Sequence, residues 1–167
     1  MWPDIQNREA NVKVALIQMN SQSDKAANIA KAEALVAEAA ADKPDLVVLP
    51  EYWAMLGDGT EEFHASGEAF PDGAAYQAMK AMALRHGITV HGGSIVERAG
   101  NAHFITTVVF NPKGEEIARY RKIHLFDVDV PGGVSHRESA TIAPARDKVT
   151  EDGARETVGC ASGADRR

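Results

Sequence analysis

Cysteine is nearly missing from this chain: among 167 residues only Cys160 carries a thiol. No disulfide framework can form within the chain, so a core must hold the fold, and a reducing cytoplasm is the expected compartment. Excess basic charge is missing too. The 18 Lys and Arg residues stand against 24 Asp and Glu, a formal net charge of -6, which leaves no electrostatic footprint for nucleic acid or for an anionic membrane surface. Long hydrophobic runs are absent as well. The apolar stretch around Val14 to Ile17 is too short to cross a bilayer and has neither the charged start nor the small-residue cleavage site of a signal peptide. The histidines His64, His86, His91, His103, His124 and His136 follow no metal-ligand spacing, and neither Gly92-Gly93 nor Gly132-Gly133 has the spacing of a dinucleotide-binding loop. Neither a metal nor another cofactor is expected.

What the chain does contain is ordinary for a globular domain: 44% hydrophobic and 25% charged residues, enough to bury a sizeable core in one domain. Strand-like runs alternate with helical ones, the pattern of an α/β layered fold. Val12 to Met19 reads as the first strand. Ser23 and Asp24 offer capping oxygens before a helix over Ala26 to Ala41, where Ile29, Ala32, Leu35, Val36 and Ala39 recur at helical spacing. Leu46 to Leu49 reads as a strand buried on both faces. A second helix is predicted from near Asp72 to Arg85, stopped by Gly87, with Met79 and Met82 as core filler. Ile88 to Glu97 and Ala102 to Phe110 read as strands, and the turn Asn111-Pro-Lys-Gly114 joins the latter to Glu115 to His124 as an antiparallel hairpin. Beyond Leu125 a long irregular stretch is expected to wall a functional site.

Two charged residues stand where such folds place their chemistry. Glu51 follows the run Asp45-Leu-Val-Val-Leu-Pro50, and Lys122 follows Ile117-Ala-Arg-Tyr-Arg121. Ligand sites in open α/β sheets lie beyond the carboxyl ends of the strands. Each residue alone reads more readily as a solvated surface charge. Their flanking words, Leu49-Pro-Glu-Tyr-Trp53 and Tyr120-Arg-Lys-Ile-His-Leu-Phe-Asp127, decide between the readings.

With those words the chain resembles the nitrilase superfamily of carbon-nitrogen hydrolases, from about Val12 to about Val149. The opening strand, Gly92-Gly-Ser94, Pro131-Gly-Gly133 and Glu138-Ser139 fit the same family in the same order. The resemblance implies an α-β-β-α sandwich and hydrolysis of an amide or nitrile through a covalent thioester. By that resemblance Glu51 is the general base, Lys122 stabilises the oxyanion, and Glu138 positions the lysine and the substrate. His124-Leu-Phe-Asp-Val-Asp-Val-Pro-Gly-Gly133 is similar to the branch acting on the ω-amide of small dicarboxylate monoamides or on deaminated glutathione. A small amide substrate and a homo-oligomer follow as expectations.

The nucleophile departs from the pattern. The family word with cysteine aligns ungapped with Thr157-Val-Gly-Cys-Ala-Ser-Gly-Ala-Asp-Arg-Arg167, placing Gly163 at the nucleophile position and Cys160 three residues early. Glycine cannot form a thioester. Residues 151–167 contain no Leu, Ile, Phe, Met, Tyr or Trp, and they read as a divergent tail produced either by a frameshifted end or by genuine divergence. The whole chain, 1–167, is expected to be a single, C-terminally truncated domain forming an incomplete sandwich. An active amidase and an inactive remnant of the same fold both remain open from the sequence.

Overall fold

The computed structural model describes residues 11–57, 60–133, 135–145 and 150–151. Its centre is a seven-stranded mixed sheet. Strands β1 (Val14–Leu16), β2 (Leu46–Val48) and β3 (Thr89–His91) run parallel, connected through helix α1 (Lys25–Ala40), the short helix α2 (Thr60–Ala65) and helix α3 (Ala74–His86). Strands β4 (Ile95–Ala99), β5 (Ala102–Phe110) and β6 (Glu116–Arg121) continue the sheet antiparallel, and β9 (Thr150–Glu151) pairs with β6. A separate hairpin pairs β7 (Asp127–Asp129) with β8 (Ser135–Arg137), followed by a 3-10 turn at Glu138–Ala140.

The two long helices, α1 and α3, form where the sequence places them. Asp24 caps α1 by accepting from the backbone N–H of Ala27 at 3.0 Å, as a short oxygen-bearing side chain does at this position. Helix α3 ends at Gly87, whose φ of 63° is the left-handed conformation that closes a helix without steric cost. Its start is capped from elsewhere. Gly73 has no side chain to offer, so Glu68 accepts from the N–H groups of Ala75 (3.2 Å) and Tyr76 (2.8 Å), and Lys25 on α1 balances the carboxylate at 2.7 Å. A negative charge at a helix N-terminus is favoured by the unpaired N–H groups there.

Both long helices lie on the same face of the sheet. Ala32 and Val36 of α1 and Ala75, Met79, Met82 and Ala83 of α3 pack on Ile17, Val47, Leu49, Val90, Val108 and Phe110. Val47, Val90 and Phe110 are paired neighbours across three strands, so the row fills one continuous core layer. Met79 and Met82 are fully buried there.

Several expectations need correction. The first strand is shorter than Val12 to Met19, and Val14 and Leu16 point away from the helices and stay exposed. Leu46 to Leu49 is not buried on both faces: Val47 and Leu49 are, but Leu46 and Val48 are half-buried, because α1 and α3 cover only the opposite side. Ile88 to Glu97 is two strands, broken at Gly92-Gly93-Ser94, both antiparallel to β5. The stretch beyond Leu125 is not irregular throughout, since Asp127 pairs with Arg137 and Asp129 with Ser135 in the β7–β8 hairpin. Helix α2 was not expected at all. The β5–β6 hairpin forms as read, with a bulge at Val109 and Phe110. The layered α/β class stands.

Candidate active site

The sheet's topology brings three chain breaks to one edge. Strands β2 and β3 are parallel, and β6 is antiparallel to β5, which is itself antiparallel to β3. The residues following β2 and β6 therefore emerge on the same side, where β3 also breaks. Glu51 leaves β2 there, Gly92 to Ser94 interrupt the strand beside it, and Lys122 leaves β6.

The turn carrying Glu51 is held by its neighbours. Tyr52 has a φ of 51°, an unfavourable conformation for a residue with a side chain, found where surrounding structure imposes it. Its N–H donates to Ser94 Oγ at 3.2 Å, the N–H of Ser94 donates to the Pro50 carbonyl at 3.3 Å, and the buried Trp53 indole donates to Gly92 O at 2.9 Å. Gly93 makes this docking possible. Its φ is 54°, and a Cβ there would sit 2.0 Å from the Pro50 carbonyl oxygen.

Lys122 is anchored through its backbone, donating to Ile105 O at 2.8 Å and accepting from Ala145 N at 3.1 Å. Its ammonium lies 3.5 Å from Glu51 Oε1 and 3.2 Å from Glu138 Oε2. The lysine and Glu138 side chains are 6% and 8% exposed, while Glu51 is 54% exposed. The structure thus brings Glu51, Lys122 and Glu138 together. A buried ammonium between two carboxylates is balanced by paired charge, which a lone buried cation is not. Glu51, open to solvent, is the member an incoming molecule would meet.

Glu138 returns to this place because the β7–β8 hairpin folds the chain back. Its Oε2 accepts from the Phe126 N–H at 2.7 Å, and its own N–H donates to Phe126 O at 3.2 Å. Oε1 accepts from the Tyr52 hydroxyl at 2.7 Å. Burial, the hydrogen bond to Glu138 and the charges of Glu138 and Glu51 all push the Tyr52 phenol above the ordinary tyrosine value, so it remains a donor. Tyr52, Ser94 and Phe126 were given no role from sequence. Tyr52 stands inside the word around Glu51, yet nothing in one sequence says which carboxylate its phenol would reach.

Gly163 and Cys160 lie outside the described residues. Among the described residues no group of three or more His, Cys, Asp or Glu could hold a metal ion, and no described helix is long and apolar enough to cross a membrane.

The sequence model of the family described as carbon-nitrogen hydrolase matches residues 13–163. The chain belongs to the carbon-nitrogen hydrolase family. It is 40% identical to "Hydrolase C26A3.11" of Schizosaccharomyces pombe over 133 residues, 79% of this chain and 41% of that protein. It is 37% identical to human "Omega-amidase NIT2" over 140 residues, covering 84% of this chain and 50% of the relative. Among solved structures, Saccharomyces cerevisiae Nit3, a member of branch 10 of the nitrilase superfamily, superposes with a TM-score of 0.70 at 30% identity, over 81% of this chain and 49% of that one. The chain spans about half the length of these relatives or less, and the family match extends past Val149 to residue 163.

Proposed function

We propose that the site serves amide hydrolysis, with monoamides of small dicarboxylic acids as the substrate class and a carboxylic acid and ammonia as products. The observation that carries this reading is the Lys122 ammonium held 3.5 Å from Glu51 and 3.2 Å from Glu138 at one edge of the sheet. The relatives named omega-amidases support the substrate class.

In the proposed chemistry a thiol gives its proton to Glu51, and the thiolate attacks the amide carbonyl. Negative charge grows on the carbonyl oxygen as it becomes tetrahedral. Lys122 stabilises that charge more in the transition state than in the ground state, which is what lowers a barrier. The proton on Glu51 passes to the departing nitrogen, leaving a thioester that water then hydrolyses with Glu51 again as base. Glu138 offsets the lysine's charge and fixes its direction. The proposal places the intact enzyme in the cytoplasm as a homo-oligomer and as one 1–167 domain in this chain.

Gly163 favours a second reading, in which this chain retains the base and oxyanion groups but lacks the nucleophile and is inactive. Ammonia release from a dicarboxylic monoamide decides between the two. The second reading gives no turnover, since neither Glu51 nor Lys122 replaces a thiolate as covalent nucleophile. Turnover that vanishes in Cys160→Ser and in Glu51→Gln establishes the first, with Cys160 as the thiol.

A further inference from the structure

The reaction outlined above uses Glu51, Lys122 and Glu138 and asks nothing of a tyrosine. Tyr52 nevertheless occupies a costly backbone conformation, φ 51°, in the turn that carries Glu51. Four contacts hold it there. Its N–H donates to Ser94 Oγ, its ring meets Phe63 edge-on at 5.4 Å, it packs in the cluster of Val96, Ile105, Leu125 and Ile142, and its hydroxyl donates to Glu138 Oε1 at 2.7 Å. Backbone strain concentrates where a side chain must be aimed in one direction. Here the aim is at a carboxylate 86 residues away in sequence.

We propose that Tyr52 is the positioning residue that fixes Glu138 against Lys122. The carboxylate of Glu138 has two neutral donors, the Tyr52 hydroxyl on Oε1 and the Phe126 N–H on Oε2, and the Lys122 ammonium approaches both oxygens, at 3.4 and 3.2 Å. Two donors on opposite oxygens set the plane of the carboxylate, and the ammonium follows that plane. Because Tyr52 is covalently next to Glu51, one turn orients the carboxylates on both sides of the lysine. The functional sense of this role rests on the amidase reading; its geometry does not.

The test compares Tyr52→Phe with the wild-type chain by amide hydrogen exchange, without substrate. The phenylalanine ring keeps the contacts with Phe63 and Leu125 and removes only the hydroxyl. With Glu138 released, the Phe126 amide is expected to exchange about tenfold faster, the local opening that loss of one hydrogen bond to a charged acceptor allows. The amides of Val47 and Val90 in the core are expected to keep their wild-type rates. A Phe126 amide that exchanges as in the wild type, or a rise shared equally by Val47 and Val90, overturns the proposal. A second readout covers a variant that fails to fold. The Tyr52 ¹³Cζ resonance, which reports donation by the hydroxyl, is expected to move in Glu138→Gln, and an unmoved resonance also overturns the proposal. Neither measurement involves turnover, so failure of the amidase reading in the ammonia assay leaves both interpretable.

Discussion

Lys122 and Glu138 form an ion pair at 3.2 Å in which both side chains are more than nine-tenths buried. The third partner, Glu51, is more than half exposed at 3.5 Å. The two pairs therefore differ in energetic consequence although their distances are similar. Removing one member of a buried pair leaves an uncompensated charge, whereas an exposed carboxylate is already solvated.

Lys122→Met is accordingly expected to lower stability by about 3 kcal/mol, because Glu138 keeps its hydrogen bonds from Tyr52 and Phe126 but loses its counter-charge. Glu51→Gln is expected to change stability by about 0.5 kcal/mol or less. Urea denaturation of the two variants beside the wild type measures both. Equal losses would mean that the exposure of Glu51 does not screen its interaction with the lysine.

Acid sensitivity should come in part from Glu97, a buried carboxylate on β4 that the Arg119 and Arg121 side chains of β6 reach. Burial alone would raise its pKa, but Arg121, at 2.6 and 2.8 Å, the Thr106 hydroxyl at 2.7 Å and the more distant Arg119 outweigh burial, and the net shift is downward. Folded Glu97 thus takes up a proton only at a pH below that at which the unfolded chain does. The stability it contributes is complete above the ordinary carboxylate range and is lost as the pH falls through its lowered value. Glu97→Gln is expected to cost about 2 kcal/mol at neutral pH and to flatten the fall in stability under acid. A series of urea midpoints from pH 7 downward checks the slope, and parallel curves for variant and wild type would remove Glu97 from the account.

Two glycines of similar φ should respond very differently to alanine. Gly87 has φ 63° with nothing within 4 Å of an added Cβ, and Gly93 has φ 54° with the Pro50 carbonyl oxygen 2.0 Å away. Gly87→Ala is expected to cost about 1 kcal/mol, the ordinary left-handed penalty. Gly93→Ala adds a backbone collision to that penalty and is expected to cost more than about 3 kcal/mol, displacing the Glu51 turn. Thermal unfolding of the pair gives the contrast, and similar melting temperatures would show that the turn yields to the added methyl group.

The difference between these glycines also marks what was legible in the sequence. Gly87 ends an apolar helical period, so its role can be read locally. Gly93 matters because a strand break meets a turn 40 residues upstream, and no local pattern encodes that meeting. The same division runs through the site. Glu51 and Lys122 were legible as candidates because each follows a strand-like run and stands inside a recognisable word. Tyr52 was not, since its partner Glu138 reaches it only after the β7–β8 hairpin reverses the chain, and that hairpin carries few apolar residues to announce itself. The exposure of Leu16 escaped for a related reason. Continuous apolar runs say that a strand is hydrophobic, not which of its faces the helices cover.

That uncovered face sets the last expectation, which concerns association of the 167-residue chain. Leu16 is 77% exposed and Val14 47%, on β1 at the edge of the sheet. Pairing places Leu16, Val48, His91, Val109 and Ala118 side by side across five strands on the face away from α1 and α3. At β1 this face combines exposed apolar side chains with a strand that, among the described residues, is paired on one side only, the combination that favours strand addition by another chain. Leu16→Lys places a charge at the C-terminal end of the edge strand while leaving Ala15 and Ile17, which face the helices, unchanged. The variant is expected to sediment as a smaller species than the wild type at equal concentration, with an unfolding midpoint within about 0.5 kcal/mol of the wild type. Identical sedimentation of the two proteins would assign any association to a different surface, and a wild-type chain that is monodisperse and monomeric would show that this edge is tolerated as it stands.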